Sequence, residues 1–262
     1  MWRLRRWLFL LFYRSGIHPG DSYLAFVEGL VAEEPCRVLD LGCGRDAPVL
    51  KALQRGSLEK VGVDPVEDLR RSTEDCEWLI RAEGARLPFA DGTFDVVICR
   101  SVLEHLEVPQ PTFDEVARVL ADEGLFVFLT PNCWDYVSVG ARLIPNRYHP
   151  VIVRKLTGRA ERDTFPTFYR ANTRHALKAL ARGSGLVVTR LEFLRQQPGY
   201  LRANTLTYAA GIAYEQLVAR FLPALRPVIL GVMFRPPREA GLEAVRIESS
   251  ADAVTDLGKR RV

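Results

Sequence analysis

The sequence predicts an α/β domain in which a mostly parallel β-sheet is covered by helices on both faces. From Cys36 onward, short apolar runs alternate with segments of helical periodicity, which is typical of such sheets. The first apolar run ends in a glycine-containing turn. The 262 residues suit one open α/β domain with appendages. We expect the domain over residues 21–235, an N-terminal segment over residues 1–20 and a mobile tail over residues 236–262.

Composition excludes several classes of protein. A hydrophobic share of 48% and a charged share of 26% suit a packed globule and not a disordered chain. No run approaches about 18 apolar residues, so we expect no membrane-spanning helix. The net charge of +4, from 36 basic and 32 acidic residues, does not indicate nucleic acid as a partner. The five cysteines form no CxxC pair, so we expect no metal, no disulfide framework and a cytoplasmic location.

Seven segments have the length and apolar pattern of β-strands. In chain order they are Arg37–Leu41, Lys60–Val63, Glu77–Ile80, Phe94–Cys99, Gly124–Thr130, Leu186–Leu194 and Val228–Phe234. Residues Asp122 to Gly124 are expected to turn the chain into the fifth strand. The last strand should lie beside an earlier one, with a helix joining the final two.

Four helices are predicted from capping residues and apolar stripes. Asp46 is the expected N-cap of the first helix, and Gly56 its end. Thr112 and Glu115 fit a capping box at the start of the second helix. The third and fourth helices are expected over Thr173–Arg182 and Ala203–Phe221.

Residues 131–173 interrupt the alternation of strands and helices with aromatic, proline and basic residues. An irregular stretch of this length within a compact domain usually has a function. We therefore interpret it as a substrate insert, a segment that covers the pocket of the molecule acted upon.

The N-terminal residues 1–14 combine arginines with tryptophan, leucine and phenylalanine. No small-residue cleavage site follows them, which argues against a secretory signal. Two interpretations stay open: the segment lies in a membrane interface, or it forms a helix that covers the domain's own core.

The strongest motif is Val38 to Gly44, an apolar strand that ends in an acid and two glycines. Glycine lets the backbone turn tightly and approach a ligand closely. About twenty residues later a second strand ends in Asp64, where a carboxylate can accept hydrogen bonds from ribose hydroxyls. The spacing from Gly42 to Ala47 also imitates a dinucleotide fingerprint. Asp40 opposes that interpretation, since a bare acid would repel a pyrophosphate.

With these residues the chain resembles the class I S-adenosylmethionine-dependent methyltransferases, particularly the small-molecule enzymes related to ubiquinone and menaquinone biosynthesis. The resemblance covers roughly residues 37–132 and includes three further motifs, Ala82 to Asp95, Val96 to Leu106 and Phe126 to Asn132. It implies a Rossmann-like fold, with a seven-stranded mostly parallel sheet, helices on both faces and one antiparallel edge strand. It also implies S-adenosyl-L-methionine as the cofactor and methyl transfer by in-line displacement as the reaction.

The resemblance assigns cofactor contacts to residues at the ends of the predicted strands. Asp40, Gly42, Cys43 and Gly44 would frame the methionine part of the cofactor. Asp64 and Pro65 would bind the ribose, and Glu83 and Gly84 the adenine. Glu83 stands where the family usually has aspartate. The backbone of Arg100 and Ser101 would approach the sulfonium centre.

The acceptor of the methyl group is expected to be a small molecule with an aromatic, glycosidic or acyl body and an anionic handle, methylated on oxygen, nitrogen or carbon. Its contacts are predicted in the substrate insert, where guanidinium groups and aromatic rings are frequent. The candidate acceptor-binding residues are Arg147, Tyr148, Tyr169 and Arg170, and the candidate catalytic residues are His149 and His105. A solvated basic surface and ordinary structural histidines remain alternatives.

Other functions stay open on the sequence alone. The chain could be a nicotinamide-dependent oxidoreductase, or a nonenzymatic cofactor-binding or membrane-associated partner protein. No basic tract with a separate recognition module points to nucleic acid. Peripheral membrane contact through residues 1–14 is the one macromolecular contact predicted, and the sequence is silent on oligomeric state.

Overall fold

The structure is a computed structural model that describes residues 12, 18–31, 36–53, 58–66, 78–143, 165–201 and 204–237. Its seven strands form one sheet in the order β3-β2-β1-β4-β5-β7-β6. The strands are β1 (Cys36–Leu41), β2 (Leu58–Asp64), β3 (Trp78–Arg81), β4 (Phe94–Arg100), β5 (Leu120–Pro131), β6 (Val187–Leu194) and β7 (Val228–Phe234). Strands β1 to β5 are parallel, whereas β7 runs antiparallel to both β5 and β6. The predicted fold class is confirmed, and the strand that runs antiparallel to the others is β7, one strand in from the β6 edge.

Each predicted strand is present, and the main difference concerns β5. This strand begins at Leu120, so the turn expected at Asp122 to Gly124 lies inside it. Glu123 has a φ of 62°, and its amide donates to the carbonyl of Arg235 at 2.9 Å. The predicted turn is therefore a local distortion within the paired strand β5.

Six helices accompany the sheet in the described part of the chain. They are α1 (Pro19–Leu30), α2 (Pro48–Ala52), α3 (Pro109–Val119), α4 (Tyr136–Leu143), α5 (Arg174–Gly183) and α6 (Thr205–Phe221). Helices α1 and α4 were not predicted. None of these helices is long and apolar enough to cross a membrane.

The predicted start of α2 is wrong by one residue. Ala47, with a φ of 44°, is the N-cap, and Asp46 lies in the turn before it. The cause is Pro48, because a residue that precedes proline is sterically excluded from the right-handed helical region. Helix α2 ends at Ala52, and its predicted end at Gly56 lies outside the described residues.

The predicted capping box of α3 is also wrong. The helix begins three residues earlier, at Pro109, where a missing N–H costs nothing because the first helical amides have no partner in the helix. Thr112 is buried within the helix. Glu115 instead accepts a hydrogen bond from the amide of Leu87 at 2.7 Å.

Helices α5 and α6 agree with prediction to within two residues at their starts, and α5 ends at Gly183 instead of the predicted Arg182. Thr173 caps α5, and its hydroxyl accepts a hydrogen bond from the amide of Ala176 at 3.0 Å. Asn204 caps α6 through the amide of Leu206 at 2.8 Å, so this helix starts two residues after the predicted Ala203.

Two apolar clusters pack on the two faces of the sheet. Alternate residues of the central strands supply both, since successive side chains of a strand point to opposite faces. Leu39 and Phe126 belong to the cluster that also holds Phe113 of α3. Val38 and Val127 belong to the one that α1 covers with Tyr23. The sheet is thus buried on both faces. A binding site can therefore form at the carboxyl ends of the parallel strands.

Several predictions concern segments that lie outside the residues described by the structure. These are the N-terminal residues 1–14 apart from Phe12, the middle of the substrate insert at 144–164, and the tail from residue 238. The described ends of the insert continue β5 through Pro131, form α4 and lead into α5. The division into segment, domain and tail stays a prediction.

Candidate functional site

A cleft of about 480 Å³ opens at the carboxyl ends of β1 and β4. Open α/β sheets bind ligands at this edge, where the chain crosses to opposite faces of the sheet. The cleft is lined by Asp40, Gly42, Cys43, Gly44, Arg45, Asp46, Pro48, Val49 and Arg100. The predicted strand–turn–helix motif therefore forms one wall of a cavity.

Two glycines shape the turn that follows β1. Gly42 and Gly44 have φ values of 77° and 67°, a region that L side chains rarely adopt. A Cβ on Gly42 would lie 2.1 Å from Cγ2 of Val102, whereas a Cβ on Gly44 would meet nothing within 4 Å. Gly42 is therefore needed for packing, and Gly44 leaves space open beside the cleft.

Cys43 contributes less than its position suggests. Its thiol is buried and donates to the carbonyl of Gly44 at 3.4 Å. Its amide and that of Gly42 donate to the carbonyl of Val63, at 3.1 and 2.7 Å. These bonds tie the turn to β2.

Asp64 joins the two strand tips. Its Oδ2 accepts a hydrogen bond from the amide of Gly44 at 2.8 Å, and its Oδ1 accepts one from Val66 at 3.0 Å. Each carboxylate oxygen has a second lone pair, so the group can also accept from a ligand. The structure thus brings the predicted Asp40–Gly44 and Asp64 motifs together and gives Asp64 a structural role as well.

Asp40 is the most unusual acid at the cleft. It is 1% exposed, and its Oδ2 has no hydrogen-bond partner. Burial raises the pKa of Asp40, Arg100 lowers it and the negative charge of Asp64 raises it, and together they bring this pKa to about 7. An orphaned buried carboxylate beside a cleft suits a ligand that brings a positive charge or a hydrogen-bond donor.

The residues predicted for the adenine follow the end of β3. Asp64 and Arg81 are register partners, and the amide of Ala82 donates to the carbonyl of Asp64 at 3.3 Å. Glu83 is exposed, as is Pro65. A Cβ on Gly84 would lie 3.1 Å from Thr112 and 3.2 Å from Leu41, so little room remains there. The segment lies next to Asp64, on the side away from β4.

Arg100 is the last residue of β4, and Ser101 follows it. Ser101 has a φ of 60°, and its amide donates to the carbonyl of Leu129 at 2.9 Å. The Arg100 guanidinium lies 3.7 Å from the point that a Cβ on Gly20 would occupy, at the start of α1. The backbone therefore turns sharply where β4 reaches the cleft.

His105 lies in a single 3₁₀ turn, Leu103–His105, after β4. Its Nδ1 is 2.7 Å from the carbonyl oxygen of Pro166, and its Nε2 is 3.9 Å from Oε1 of Glu104. Its ring also packs edge-on against Phe165, with centroids 5.9 Å apart. The carbonyl contact matches the structural alternative raised for this histidine.

Glu104 was missed by the sequence analysis. It is 5% exposed, and its Oε2 accepts a hydrogen bond from the Thr130 hydroxyl at 3.1 Å. That hydroxyl accepts in turn from Nδ2 of Asn172 at 2.7 Å. Burial raises the pKa of Glu104. The available signal was its place in the VLEHL segment directly after a strand that ends at the cleft.

The Glu104 backbone also fixes one end of the substrate insert. Its carbonyl accepts hydrogen bonds from the amides of Phe168 and Tyr169, at 2.8 and 3.2 Å. Two predicted residues, Tyr169 and Arg170, thereby lie beside the His105 turn, the first half-buried and the second exposed. The other three predicted there, Arg147, Tyr148 and His149, lie outside the described residues.

Residues 39–128 match the profile of the family described as methyltransferase domain. Over 112 residues the chain is 38% identical to the malonyl-(acyl-carrier protein) O-methyltransferase of Geobacter sulfurreducens. That alignment covers 40% of this chain and 41% of the Geobacter protein. The chain therefore matches less than half the length of this relative.

Solved structures share the fold at low identity. The YcgJ protein of Bacillus subtilis superimposes with a TM-score of 0.51 and 17% identity, over 83% of this chain and 99% of that one. A geranyl diphosphate C-methyltransferase of Streptomyces coelicolor, in complex with S-adenosyl-L-homocysteine, gives a TM-score of 0.53 and 16% identity. That superposition covers 83% of this chain and 79% of the other.

Proposed function

We propose that this chain, whose residues 39–128 match the methyltransferase domain family, is an S-adenosylmethionine-dependent methyltransferase that acts on a small molecule. One observation supports this above the others. The buried, unpartnered Oδ2 of Asp40 lies beside the open turn at Gly44, in the cleft where β1 and β4 end. The resemblance to ubiquinone and menaquinone enzymes stays a prediction.

The residues at the cleft fit the cofactor by charge and by space. S-adenosylmethionine supplies an electrophilic methyl group on a sulfonium cation and also carries an ammonium group. Asp40 would accept a hydrogen bond from that ammonium group, and the backbone of Gly42 to Gly44 would pass beside the methionine chain. Asp64 keeps lone pairs for the ribose hydroxyls, and Glu83 and Gly84 follow on the adenine side.

The methyl acceptor is expected at the carboxyl ends of β4 and β5, because β2 and the residues proposed to bind the ribose lie on the other side of β1. In-line displacement mainly requires that the acceptor be held near the methyl group and that water be excluded. Segment 165–170 is hydrogen-bonded to the Glu104 carbonyl, in the turn that follows β4. We retain Tyr169, Arg170, Arg147 and Tyr148 as candidate contacts for an anionic acceptor.

Among the residues that the structure describes, His105 is the candidate for moving a proton. Its Nδ1 can donate to the Pro166 carbonyl, which leaves Nε2 as the acceptor nitrogen of the neutral ring. A hydroxyl or carboxyl acceptor could then lose its proton to Nε2. His149 remains the second candidate. The name of the Geobacter relative favours testing acyl acceptors and oxygen methylation first among the expected chemistries.

Calorimetry and thermal unfolding test the proposal directly. S-adenosylhomocysteine should bind and raise the melting temperature, since a ligand at 100 times its Kd adds about 2.7 kcal/mol. NAD should not, which separates methyl transfer from nicotinamide chemistry. Asp40→Asn should weaken the binding. Asp122→Asn, near the amino end of β5 and away from the cleft, should not. Absence of any heat with either S-adenosylmethionine or its demethylated product would overturn the proposal.

Location and partners are further proposals. A cytoplasmic location is proposed from the sequence, whose five scattered cysteines include no CxxC pair. Membrane contact of residues 1–14 is tested by liposome flotation of the chain with and without that segment, and equal recovery would contradict it. Mass comparison of metabolites with and without the protein would identify the acceptor.

A further inference from the structure

Exposed apolar side chains concentrate at one edge of the molecule. Within the described part of the chain, most large apolar residues with exposed side chains come after β5 or between β6 and β7. They include Trp134, Phe168, Leu206, Leu217, Phe221 and Leu222. Isolated exposed leucines are ordinary, but a contiguous exposed patch usually marks an interaction surface.

The segments that carry these residues leave the sheet at the same edge. Pro131 of β5 and Leu194 of β6 both pair with Val228, the first residue of β7. Side-chain Nδ2 of Asn132 donates to the carbonyl of Ala224 at 2.8 Å, which joins the chain after β5 to the chain before β7. This is the edge at which β1 and β4 open into the cleft.

Helix α6 presents the longest part of this surface. Leu206, Ala210, Ala213, Leu217 and Phe221 are all exposed, and we call this set the α6 stripe. Their spacing places them along one face of the helix. Leu206, Leu217 and Phe221 are 78%, 54% and 66% exposed, while Tyr208, Ile212 and Val218 are buried on the other side. The helix is thus apolar on both faces.

Helix α6 is held at the edge of the molecule. The Tyr214 ring packs edge-on against Tyr136 of α4, with centroids 5.3 Å apart. Its buried residues Tyr208, Ile212 and Val218 belong to neither of the two apolar clusters that cover the sheet. The α6 stripe lies on the exposed side of the helix, opposite these buried residues.

The exposed charges of the segments that surround the α6 stripe have one sign, although Asp46, Glu83 and Glu107 are exposed elsewhere along the carboxyl ends of the strands. In the described parts of residues 132–140, 165–174, 195–199 and 204–227, the acids are Asp135 and Glu215, and both are buried. Arg170, Arg174 and Arg220 are exposed. The Arg220 guanidinium lies over the Phe221 ring, 5.5 Å from its centroid, at the end of the stripe. Leucine, aromatic rings and arginine without exposed carboxylates are the combination that favours an anionic lipid interface.

We propose that this edge docks on an anionic lipid bilayer, with the α6 stripe inserted at headgroup level and the exposed arginines against lipid phosphates. The charge pattern selects this partner, because an exposed apolar stripe with basic neighbours complements a negative surface. Docking in this orientation brings the cleft's edge to the membrane. It involves residues separate from the N-terminal segment 1–14 and does not depend on the proposed methyl transfer.

Flotation of the full chain with vesicles tests the proposal. The protein should bind vesicles of phosphatidylcholine mixed with phosphatidylglycerol much better than vesicles of phosphatidylcholine alone. Leu217→Ser combined with Phe221→Ser should lower partitioning into the mixed vesicles at least about tenfold, because both side chains lose apolar area that the bilayer would bury. Arg220→Glu should weaken binding to the mixed vesicles and not to neutral ones.

Trp78→Ser is the matched control, since Trp78 is 62% exposed but begins β3 at the opposite edge of the sheet. It should leave partitioning unchanged. Far-ultraviolet circular dichroism and thermal unfolding check that each variant is folded. Equal flotation of the wild-type chain and the Leu217/Phe221 variant would overturn the proposal. So would a wild-type chain that ignores both vesicles but self-associates through the stripe in sedimentation, which would make the surface a contact between copies.

Discussion

The phenol oxygen of Tyr23 lies 3.1 Å from the backbone nitrogen of Cys99, a residue 76 positions later in the chain. The same oxygen lies 3.4 Å from the carbonyl oxygen of Val127 on the next strand. Tyr23 is fully buried, so its hydroxyl accepts from β4 and donates to β5 away from water. Helix α1 is thereby bonded to the sheet one residue before Arg100 reaches the cleft.

Tyr23→Phe should destabilise the protein. The phenyl ring would keep the packing but leave the Cys99 amide buried without this acceptor, at a cost of about 1–3 kcal/mol. Urea unfolding measures the change. Tyr214→Phe, at a half-buried tyrosine of α6, should change the free energy of unfolding by less than about 0.5 kcal/mol. Equal stability of both variants would contradict a role for the Tyr23 hydroxyl.

Alanine at the two glycines of the cleft should have different effects. Both positions have positive φ, which costs an L residue about 1–2 kcal/mol. Gly42→Ala adds a clash with Val102 and should be the more destabilising variant in thermal unfolding. Gly44→Ala adds no clash, so its free energy of unfolding should fall only by the cost of the positive φ. Its methyl group should obstruct the ligand, so calorimetry should show weaker binding.

A double substitution separates clash from backbone strain at Gly42. Val102→Ala removes both Cγ atoms, including the one 2.1 Å from the added Cβ. Gly42→Ala should therefore cost less in the Val102→Ala background than in the wild type. An equal cost in both backgrounds would mean that φ alone explains the effect.

Asp40 should make cofactor binding depend on pH. Its pKa of about 7 means that the carboxyl is largely protonated in slightly acidic buffer, whereas a cationic ligand favours the carboxylate. Affinity for S-adenosylhomocysteine should therefore fall as pH drops below about 7, by up to about tenfold per pH unit, with a proton released on binding. Calorimetry in buffers of different ionisation enthalpy measures that proton.

The Asp40→Asn variant supplies the comparison. Its binding should be weaker above pH about 7 and nearly independent of pH below it, since the amide does not titrate there. Wild-type binding that is equally flat would contradict the assignment of Asp40 to a positive group of the ligand.

The parts of the site that were predicted are those encoded within a short stretch of chain. Gly42, Gly44 and Asp64 sit where an apolar strand ends, and parallel strands bring such ends to one edge. The contact between the Gly44 amide and Asp64 follows from that geometry. The predicted residues of the substrate insert at 147–149 lie outside the description, so their roles stay predictions.

The parts that were missed depend on distant partners. The Glu104–Thr130 and Thr130–Asn172 bonds join residues 26 and 42 positions apart, and no local pattern announces them. The capping box at Thr112 failed for a related reason, because Glu115 binds the amide of Leu87 across the fold. Local propensity indicates where a helix exists, and tertiary partners decide how its polar residues are used.

Glu215 should make the protein less stable at alkaline pH. It is 2% exposed on α6 with Oε2 unpartnered, and burial raises its pKa to about 7, with Asp135 adding to the rise and Arg195 opposing it. In the unfolded chain a glutamate titrates near pH about 4.3, so the stability it contributes is complete below that pH. That stability is lost as pH rises through about 7.

Glu215→Gln should thus match the wild type near pH about 4 and unfold at a temperature several degrees higher near pH about 8.5. Differential scanning calorimetry at the two pH values measures this, with Glu107→Gln, at an exposed glutamate, as the control. A Glu215→Gln variant that is less stable than the wild type at both pH values would show that the carboxylate has a partner worth more than its burial costs.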